Sequence, residues 1–105
     1  MYQEPARRRH PRVDANFLVL VRGRGAPLVR KARNVSMNGI LLSGEGVERD
    51  TPVVVEMPLP DEPRMISATG RVVRAGPDDA VGIHFTDLDW DGILAMARYL
   101  APRLP

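Results

Sequence analysis

Hydrophobic and polar positions alternate along most of this 105-residue chain. Runs in which every second residue is apolar, and which end at Gly, Pro, Asn or Asp, are typical of short half-buried strands. We predict six such strands, at residues 15–22, 27–34, 39–42, 53–57, 65–74 and 80–85. The first two form a hairpin across a turn-like Gly23-Arg24-Gly25-Ala26, and Gly70 marks a bulge or bend in the fifth.

The last segment changes to a helical period. Six apolar residues fall on one helical stripe: Trp90, Ile93, Leu94, Ala97, Leu100 and Ala101. Thr86 or Asp87 is expected to cap the start of this helix, and Pro102 ends it. Short strands with tight turns in a small chain favour a barrel. The predicted fold class is therefore mainly β, a six-stranded antiparallel β-barrel whose open side is covered by the apolar stripe of a C-terminal α-helix.

The composition indicates one small folded domain, since 44% of the residues are hydrophobic and 27% are charged. There is no cysteine, which excludes disulfides and thiolate zinc sites, and the chain has only two histidines. We therefore expect no metal and no cofactor. No apolar run approaches the roughly 20 residues of a membrane-spanning helix, and the first residues lack the apolar segment of a signal peptide. These features predict a cytoplasmic protein without membrane insertion.

Charge is distributed unevenly, although the net charge is only +2. Residues 1–33 carry nine basic and two acidic groups, a balance of +7, whereas residues 34–105 carry six basic and eleven acidic groups, a balance of −5. Fourteen of the fifteen basic residues are arginine, whose planar fork binds phosphates and guanine edges bidentately. Genome composition accounts for part of this arginine bias. Its concentration in the first third of the chain nevertheless favours a local anion site.

The first fourteen residues are predicted to form a flexible basic arm, followed by the barrel and helix as a single domain over residues 15–105. Pro5 and Pro11 disfavour helix in this arm. Pro11 also pushes the residue before it towards an extended conformation.

The arm contains a cluster of arginines. Arg8 and Arg12 lie four residues apart, so on an extended chain they face the same way at a distance of about 13 Å. Together with Arg7 and Arg9 they can converge on one polyanion. Taken alone, the cluster is also compatible with a solvated basic tail or with non-specific nucleic-acid binding. The second alternative is weakened because Tyr2 is the only aromatic residue nearby, which leaves no stacking platform for bases.

A second motif, N-x-S-x-x-G, follows the predicted hairpin at Asn34, Ser36 and Gly39. Asn34 and Ser36 are two residues apart, so extended backbone points both side chains the same way, and both can donate and accept hydrogen bonds. Gly39 permits a positive φ and a close approach of ligand to backbone. An ordinary turn uses the same residue types. The order of the two motifs, across one hairpin, allows them to share a rim.

These two motifs resemble the signature of the PilZ domain family, the bacterial receptor module for cyclic di-GMP. Arg8-x-x-x-Arg12 matches its R-x-x-x-R motif, and Asn34-x-Ser36-x-x-Gly39 matches its [D/N]-x-S-x-x-G motif. The family fold, a six-stranded barrel with a C-terminal helix, agrees with the fold predicted from the pattern. Three further segments resemble later strands of the family: Gly39–Leu42, Gly70–Arg74 and Val81–Phe85.

The resemblance implies cyclic di-GMP as the ligand and a set of contacts to it. Two arginines of the first motif grip guanine edges and phosphates, with a third contact from the arginine before them. The second motif embraces the other guanine, and an arginine at the end of the fifth strand, where some members carry an aromatic residue, stacks on a base. The implied ligand-binding residues are Arg7, Arg8, Arg12, Asn34, Ser36, Gly39 and Arg74.

The predicted function is a receptor whose N-terminal arm changes conformation on binding cyclic di-GMP and which signals to a partner protein not identified by the sequence. A nucleic-acid-binding barrel and a protein-interaction barrel without a nucleotide ligand remain alternatives. We expect no enzyme. The chain lacks a cysteine nucleophile, and Ser36 has no neighbouring base. His84 lies in a predicted strand, where a packed or surface histidine is more usual than a catalytic base, and His10 has no evident carboxylate partner.

Overall fold

The computed structural model describes residues 11–76 and 79–104, which form seven strands and a C-terminal helix. The predicted contacts Arg7 and Arg8 lie outside the described residues. The elements are β1 (Val13–Asp14), β2 (Leu18–Arg22), β3 (Leu28–Ser36), β4 (Gly39–Ser43), β5 (Pro52–Met57), β6 (Ile66–Ala75), β7 (Ala80–Leu88) and α1 (Trp90–Leu100), followed by a 3₁₀ turn over Ala101–Arg103.

Six of the strands close into an antiparallel barrel. Their order is β3-β2-β5-β6-β7-β4, and β4 pairs back onto β3 to complete the ring. Closure satisfies the backbone hydrogen bonds that an open sheet leaves unpaired at its edges. The predicted fold class, a six-stranded antiparallel barrel with a C-terminal helix, is confirmed.

The barrel interior is filled by the alternate residues of each strand. In β6, for example, Ile66, Ala68, Gly70 and Val72 are buried, whereas the residues between them are exposed. Burying an aliphatic side chain stabilises a fold by about 1.5–3 kcal/mol. The alternating apolar residues that predict the strands are therefore also the residues whose burial stabilises the barrel. The largest side chains of the barrel core that are almost completely buried are Val21, Val35, Ile40, Leu42, Val55, Met57, Val72 and Val81.

A short strand that was not predicted precedes the barrel. Val13 and Asp14, at the end of the predicted arm, form β1 and pair with Val35 and Asn34 of β3. Val13 is buried against the core, which accounts for this short strand. The backbone N–H of Ala15 continues the contact by donating to the carbonyl of Arg33 at 2.9 Å. The last residues of the arm are thereby fixed to the strand that carries the second motif.

Helix α1 starts later than the predicted caps. Strand β7 continues to Leu88, so Thr86 and Asp87 are strand residues and the prediction that one of them caps the helix was wrong. Asp89 is the cap, because its carboxylate accepts a hydrogen bond of 2.7 Å from the backbone N–H of Gly92. Within the described part of the chain, no helix is long and apolar enough to cross a membrane.

The helix buries a different face from the predicted stripe. The buried residues are Gly92, Ala95, Met96, Tyr99 and Leu100, whereas Trp90 is 69% exposed. Gly92 lets the helix approach the sheet closely, since a Cβ atom there would lie 2.8 Å from Leu88 Cδ2. The stripe prediction was therefore wrong for Trp90, Leu94, Ala97 and Ala101, which are exposed, whereas Ile93 is half-buried and Leu100 is buried.

Two contacts fix the C-terminal half of the helix. The ring of Tyr99 meets Phe17 edge-on, with centroids 5.8 Å apart. Arg98 donates two hydrogen bonds, of 3.0 and 2.8 Å, to the carboxylate of Glu62 in the loop after β5. The hydrogen bond from Arg98 and its positive charge lower the pKa of Glu62 below the usual 4.5, although burial opposes the shift.

Candidate functional site

The second motif forms a two-residue hairpin loop between β3 and β4. Ser36 pairs with Gly39 across the loop, and its side chain is fully buried. The Ser36 hydroxyl donates to Asn38 Oδ1 at 2.7 Å and accepts from the Asn38 backbone N–H at 3.3 Å. The carbonyl of Asn38 accepts a hydrogen bond of 2.8 Å from the N–H of Phe85. These bonds fix the Asn38 side chain in one orientation.

The two motifs meet at a hydrogen bond between side chains. Nη1 of Arg12 donates to Oδ1 of Asn34 at 2.8 Å. The register of β3 against β4 shifts between Ala32 and Asn34. Such an irregularity changes the direction of the neighbouring side chains. Arg12 immediately precedes β1, whose pairing with β3 places it beside Asn34. The structure thus brings the arm and the hairpin together, as the predicted shared rim requires.

A cavity of about 400 Å³ lies beside this hydrogen bond, on the outer side of the barrel over β4, β6 and β7. Such a volume is within the range of small-molecule sites. The lining residues are Arg12, Asn34, Asn38, Gly39, Ile40, Leu41, Val73, Arg74, Gly82, Ile83 and His84.

The charge of the cavity suits an anion. Arg12 and Arg74 contribute two guanidinium groups, and no carboxylate is among the described residues that line it. Arginine cations, amide side chains and an imidazole can together bind phosphate oxygens and the edges of a purine. Over residues 11–76 and 79–104, no three His, Asp or Glu side chains are grouped so that they could hold a metal ion.

Two glycines keep side chains out of this region. Gly82 pairs with Arg74 across β6 and β7, and a Cβ atom at Gly82 would lie 3.1 Å from Arg74 Cβ. Gly39 is in extended strand and does not use the positive φ that glycine permits, whereas Gly44 and Gly46 have that conformation. A Cβ atom at Gly39 would lie 2.6 Å from the carbonyl oxygen of Ile83. Glycine is required there because β4 and β7 approach closely.

Four of the seven predicted contact residues line the cavity, namely Arg12, Asn34, Gly39 and Arg74. Ser36 does not, because its hydroxyl is engaged by Asn38 and its side chain is buried. Arg7 and Arg8 lie outside the described residues, so the structure does not place them.

Sequence reasoning missed several lining residues, chiefly Asn38, Leu41, Gly82 and His84. Asn38 stands at a position that the second motif leaves unspecified, and its hydrogen-bonding amide is the feature that could have identified it as a site residue. The other three face outward on strands that were predicted. They come together only through the pairing of β4 with β7, which joins Gly39 to His84 and Leu41 to Gly82 across more than forty residues.

The fold is similar to that of several solved structures. The PilZ domain of CeSA from a cellulose-synthesizing bacterium superposes with a TM-score of 0.69 at 17% identity, over 89% of this chain and 98% of that one. The Bacillus subtilis inhibitor of motility, MotI/DgrA, gives 0.72 at 16% identity, over 98% of this chain and 52% of that one. The Borreliella burgdorferi PlzA protein in complex with c-di-GMP gives 0.61 at 15% identity, over 94% of this chain and 38% of that one.

This chain therefore spans nearly all of the first structure but only about half of the second and 38% of the third. Comparison with curated protein sequences gives no match. A profile of the PilZ domain matches residues 6–101, which includes both motifs, every strand and the whole of α1. The chain thus belongs to the PilZ domain family, whose members are known as receptor domains for cyclic di-GMP.

Proposed function

We propose that this chain binds cyclic di-GMP in the cavity over β4, β6 and β7. The observation that carries the proposal is the 2.8 Å hydrogen bond from Arg12 to Asn34, which joins the two motifs beside a cavity that has two guanidinium groups and no described carboxylate. A ligand with two phosphates and two guanines needs both cations and amide groups, and the cavity supplies both.

Each polar group has a chemical role in this proposal. Arg12 and Arg74 bind phosphate oxygens or guanine edges through their guanidinium forks. The amides of Asn34 and Asn38 meet a guanine edge, where they can both donate and accept. The absent side chain of Gly82 leaves room for a flat purine against the strand. Arg7 and Arg8 add further cations from the arm.

Ser36 acts indirectly in this scheme. Its hydroxyl holds Asn38 through two hydrogen bonds and is itself buried, so it positions an amide at the cavity rather than meeting the ligand. Ser36→Ala should therefore lower affinity less than Asn34→Ala, which removes a side chain that lines the cavity.

Signalling is proposed to pass through the arm. Pairing of Val13 and Asp14 with β3 anchors the end of the arm, so a conformational change on binding is confined to the residues before Val13. The ligand's phosphates attract the arm's arginines, and the rearranged arm presents a new surface to a partner protein. Amide exchange at residues 5–12 should slow when cyclic di-GMP saturates the protein. Unchanged exchange there would refute the arm movement but leave ligand binding intact.

The binding proposal is tested by calorimetric titration of cyclic di-GMP, with GTP as the control ligand. We expect saturable binding that Arg12→Ala or Asn34→Ala weakens by about 10- to 100-fold, as for the loss of a charge-assisted hydrogen bond. Arg24→Ala is the matched control, since Arg24 is an exposed arginine of the same basic third but lines a different cavity. Absence of saturable binding at micromolar ligand would contradict the proposal.

A competition experiment distinguishes a cyclic di-GMP receptor from a nucleic-acid-binding protein. If duplex DNA displaces cyclic di-GMP and the affinity for DNA falls steeply with salt, the basic third of the chain is a nucleic-acid surface. We expect DNA not to compete at physiological salt.

A further inference from the structure

Helix α1 has a second apolar face, directed at solvent. Trp90 is 69% exposed and Leu94 is 39% exposed, and Ala97 and Ala101, at the end of the helix, are also exposed. We call these four residues the outer stripe. At 100° per residue the stripe lies on the opposite side of the helix from the buried face described above. An exposed tryptophan within an apolar row is a feature of interaction surfaces.

The outer stripe has the spacing of a helix-pairing seam. Its residues are separated by four, three and four positions, the alternation that two packed helices use. Large side chains occupy its N-terminal half and small ones its C-terminal half. We propose that two copies of this chain associate through their outer stripes, with the two helices antiparallel about a two-fold axis.

The antiparallel arrangement makes the stripe complementary to itself. A two-fold axis midway along the stripe places Trp90 against Ala101 of the second copy, and Leu94 against Ala97 of the second copy. Each large side chain then meets a small one, which permits close packing without gaps. In a parallel arrangement Trp90 would instead face Trp90 of the second copy, and each alanine would face an alanine. The two tryptophans would then hold the alanines too far apart for contact.

Charges beside the stripe favour the same orientation. Asp91 and Arg98 are both exposed and lie on the same flank of the helix. In antiparallel helices a flank faces its own equivalent, so Asp91 comes within about two residues, or roughly 3 Å along the axis, of Arg98 of the second copy. A long arginine spans that offset, and Nη1 of Arg98 is not used in its two hydrogen bonds to Glu62, which come from Nε and Nη2. In parallel helices this flank would face the opposite flank of the second copy, and Asp91 and Arg98 would not meet.

The size of the outer stripe determines how strongly the two copies should associate. Eleven residues make a helix about 16 Å long, so the contact belongs to the class of interfaces below about 1,200 Å² that associate weakly. We therefore expect a reversible dimer with a dissociation constant in the micromolar range. The interface is isologous and closed, so association stops at two copies.

The experiment is sedimentation of the full chain over a concentration series from about 1 µM to 1 mM, the range in which contacts of this size dissociate. Trp90 is the only tryptophan, so its fluorescence emission should shift to shorter wavelength as the dimer forms. Trp90→Ala or Leu94→Asp should weaken association about tenfold or more. Leu18→Asp is the control, because Leu18 is a 58% exposed leucine on β2 and does not belong to the outer stripe.

Charge reversal tests the orientation. Asp91→Arg and Arg98→Asp should each weaken self-association, because each puts like charges together across the axis. A mixture of the two variants should form heterodimers, in which both contacts again pair opposite charges. That rescue cannot result from the lost bond to Glu62, which mixing does not restore.

A chain that stays monomeric throughout the series, a dimer that survives Trp90→Ala and Leu94→Asp, or a mixture that fails to associate better than either variant alone would overturn the proposal. Cyclic di-GMP binding by a monomeric chain would leave the proposed function untouched.

Discussion

Replacing Gly39 with alanine tests why this position of the second motif is glycine. The new Cβ atom would lie 2.6 Å from the carbonyl oxygen of Ile83, whereas ordinary contacts begin at 3.4 Å. The two strands must therefore separate by about 0.8 Å at this point, the difference between those distances. Both clashing groups are fixed to the backbone, so no change of rotamer relieves the contact.

The expected cost follows from that displacement. Forcing an extra methyl group into a packed position costs about 1–3 kcal/mol. For a domain of this size a loss of about 2 kcal/mol lowers the melting temperature by roughly 8–16 °C. Gly25→Ala is the matched control, because a Cβ atom there meets nothing within 4 Å. Its melting temperature should stay within about 2 °C of the wild type, since surface changes are nearly neutral.

Thermal unfolding followed by circular dichroism measures both variants. If Gly39→Ala melts at the same temperature as Gly25→Ala but loses cyclic di-GMP, the glycine serves ligand approach, and our strand-packing explanation is wrong. If both melt like the wild type and both bind, neither explanation holds.

Three further perturbations have expected outcomes. Gly82→Val fills the cavity from its own wall and should abolish most cyclic di-GMP binding; titration that shows wild-type affinity would place the ligand elsewhere. Asp89→Ala removes the acceptor for the Gly92 N–H and should cost about 1 kcal/mol, or roughly 4–8 °C in melting temperature. Because Arg98 lowers the pKa of Glu62 in the folded protein, the Glu62–Arg98 pair stabilises the fold above about pH 4.5. This stabilisation is lost as the pH falls through the lowered pKa of Glu62. The melting-temperature gap between wild type and Arg98→Ala should therefore narrow on acidification, and a constant gap would count against this pair.

The strands were predictable because burial in a barrel enforces a period of two. Residues 27–34 alternate in sequence, and β3 forms over Leu28–Ser36 for that reason. The end of β7 was harder to predict, since Thr86 and Asp87 have the residue types of a helix cap. Pairing of Ala68 with Leu88 and of Thr69 with Asp87 extends the strand and overrides that local preference.

The buried face of the helix was not predictable from spacing. Both sides of α1 are apolar, so the helical period fits a face centred on Leu94 as well as one centred on Ala95 or Met96. The choice depends on Gly92, whose missing side chain allows contact with Leu88. That fit is a property of the assembled barrel, and no local pattern encodes it.

Only the part of the candidate site that the two motifs form could be predicted from the sequence. Arg12 and Asn34 meet as the shared rim requires. The rest of the cavity is built by β4 and β7, whose register decides that Leu41, Gly82 and His84 share a wall. Long-range register is set by closure of the ring, and the local pattern of hydrophobic and polar residues does not reveal it.

The most direct test of the account is an amide NMR titration of the isotope-labelled chain with cyclic di-GMP, because it reports both binding and its location. We predict saturable shifts concentrated at Asn34, Asn38, Gly39 and Gly82, with little change at Arg24 and Gly25 on the far turn. An unchanged spectrum at excess ligand, or shifts gathered at that far turn, would contradict the assignment of this cavity as the cyclic di-GMP site.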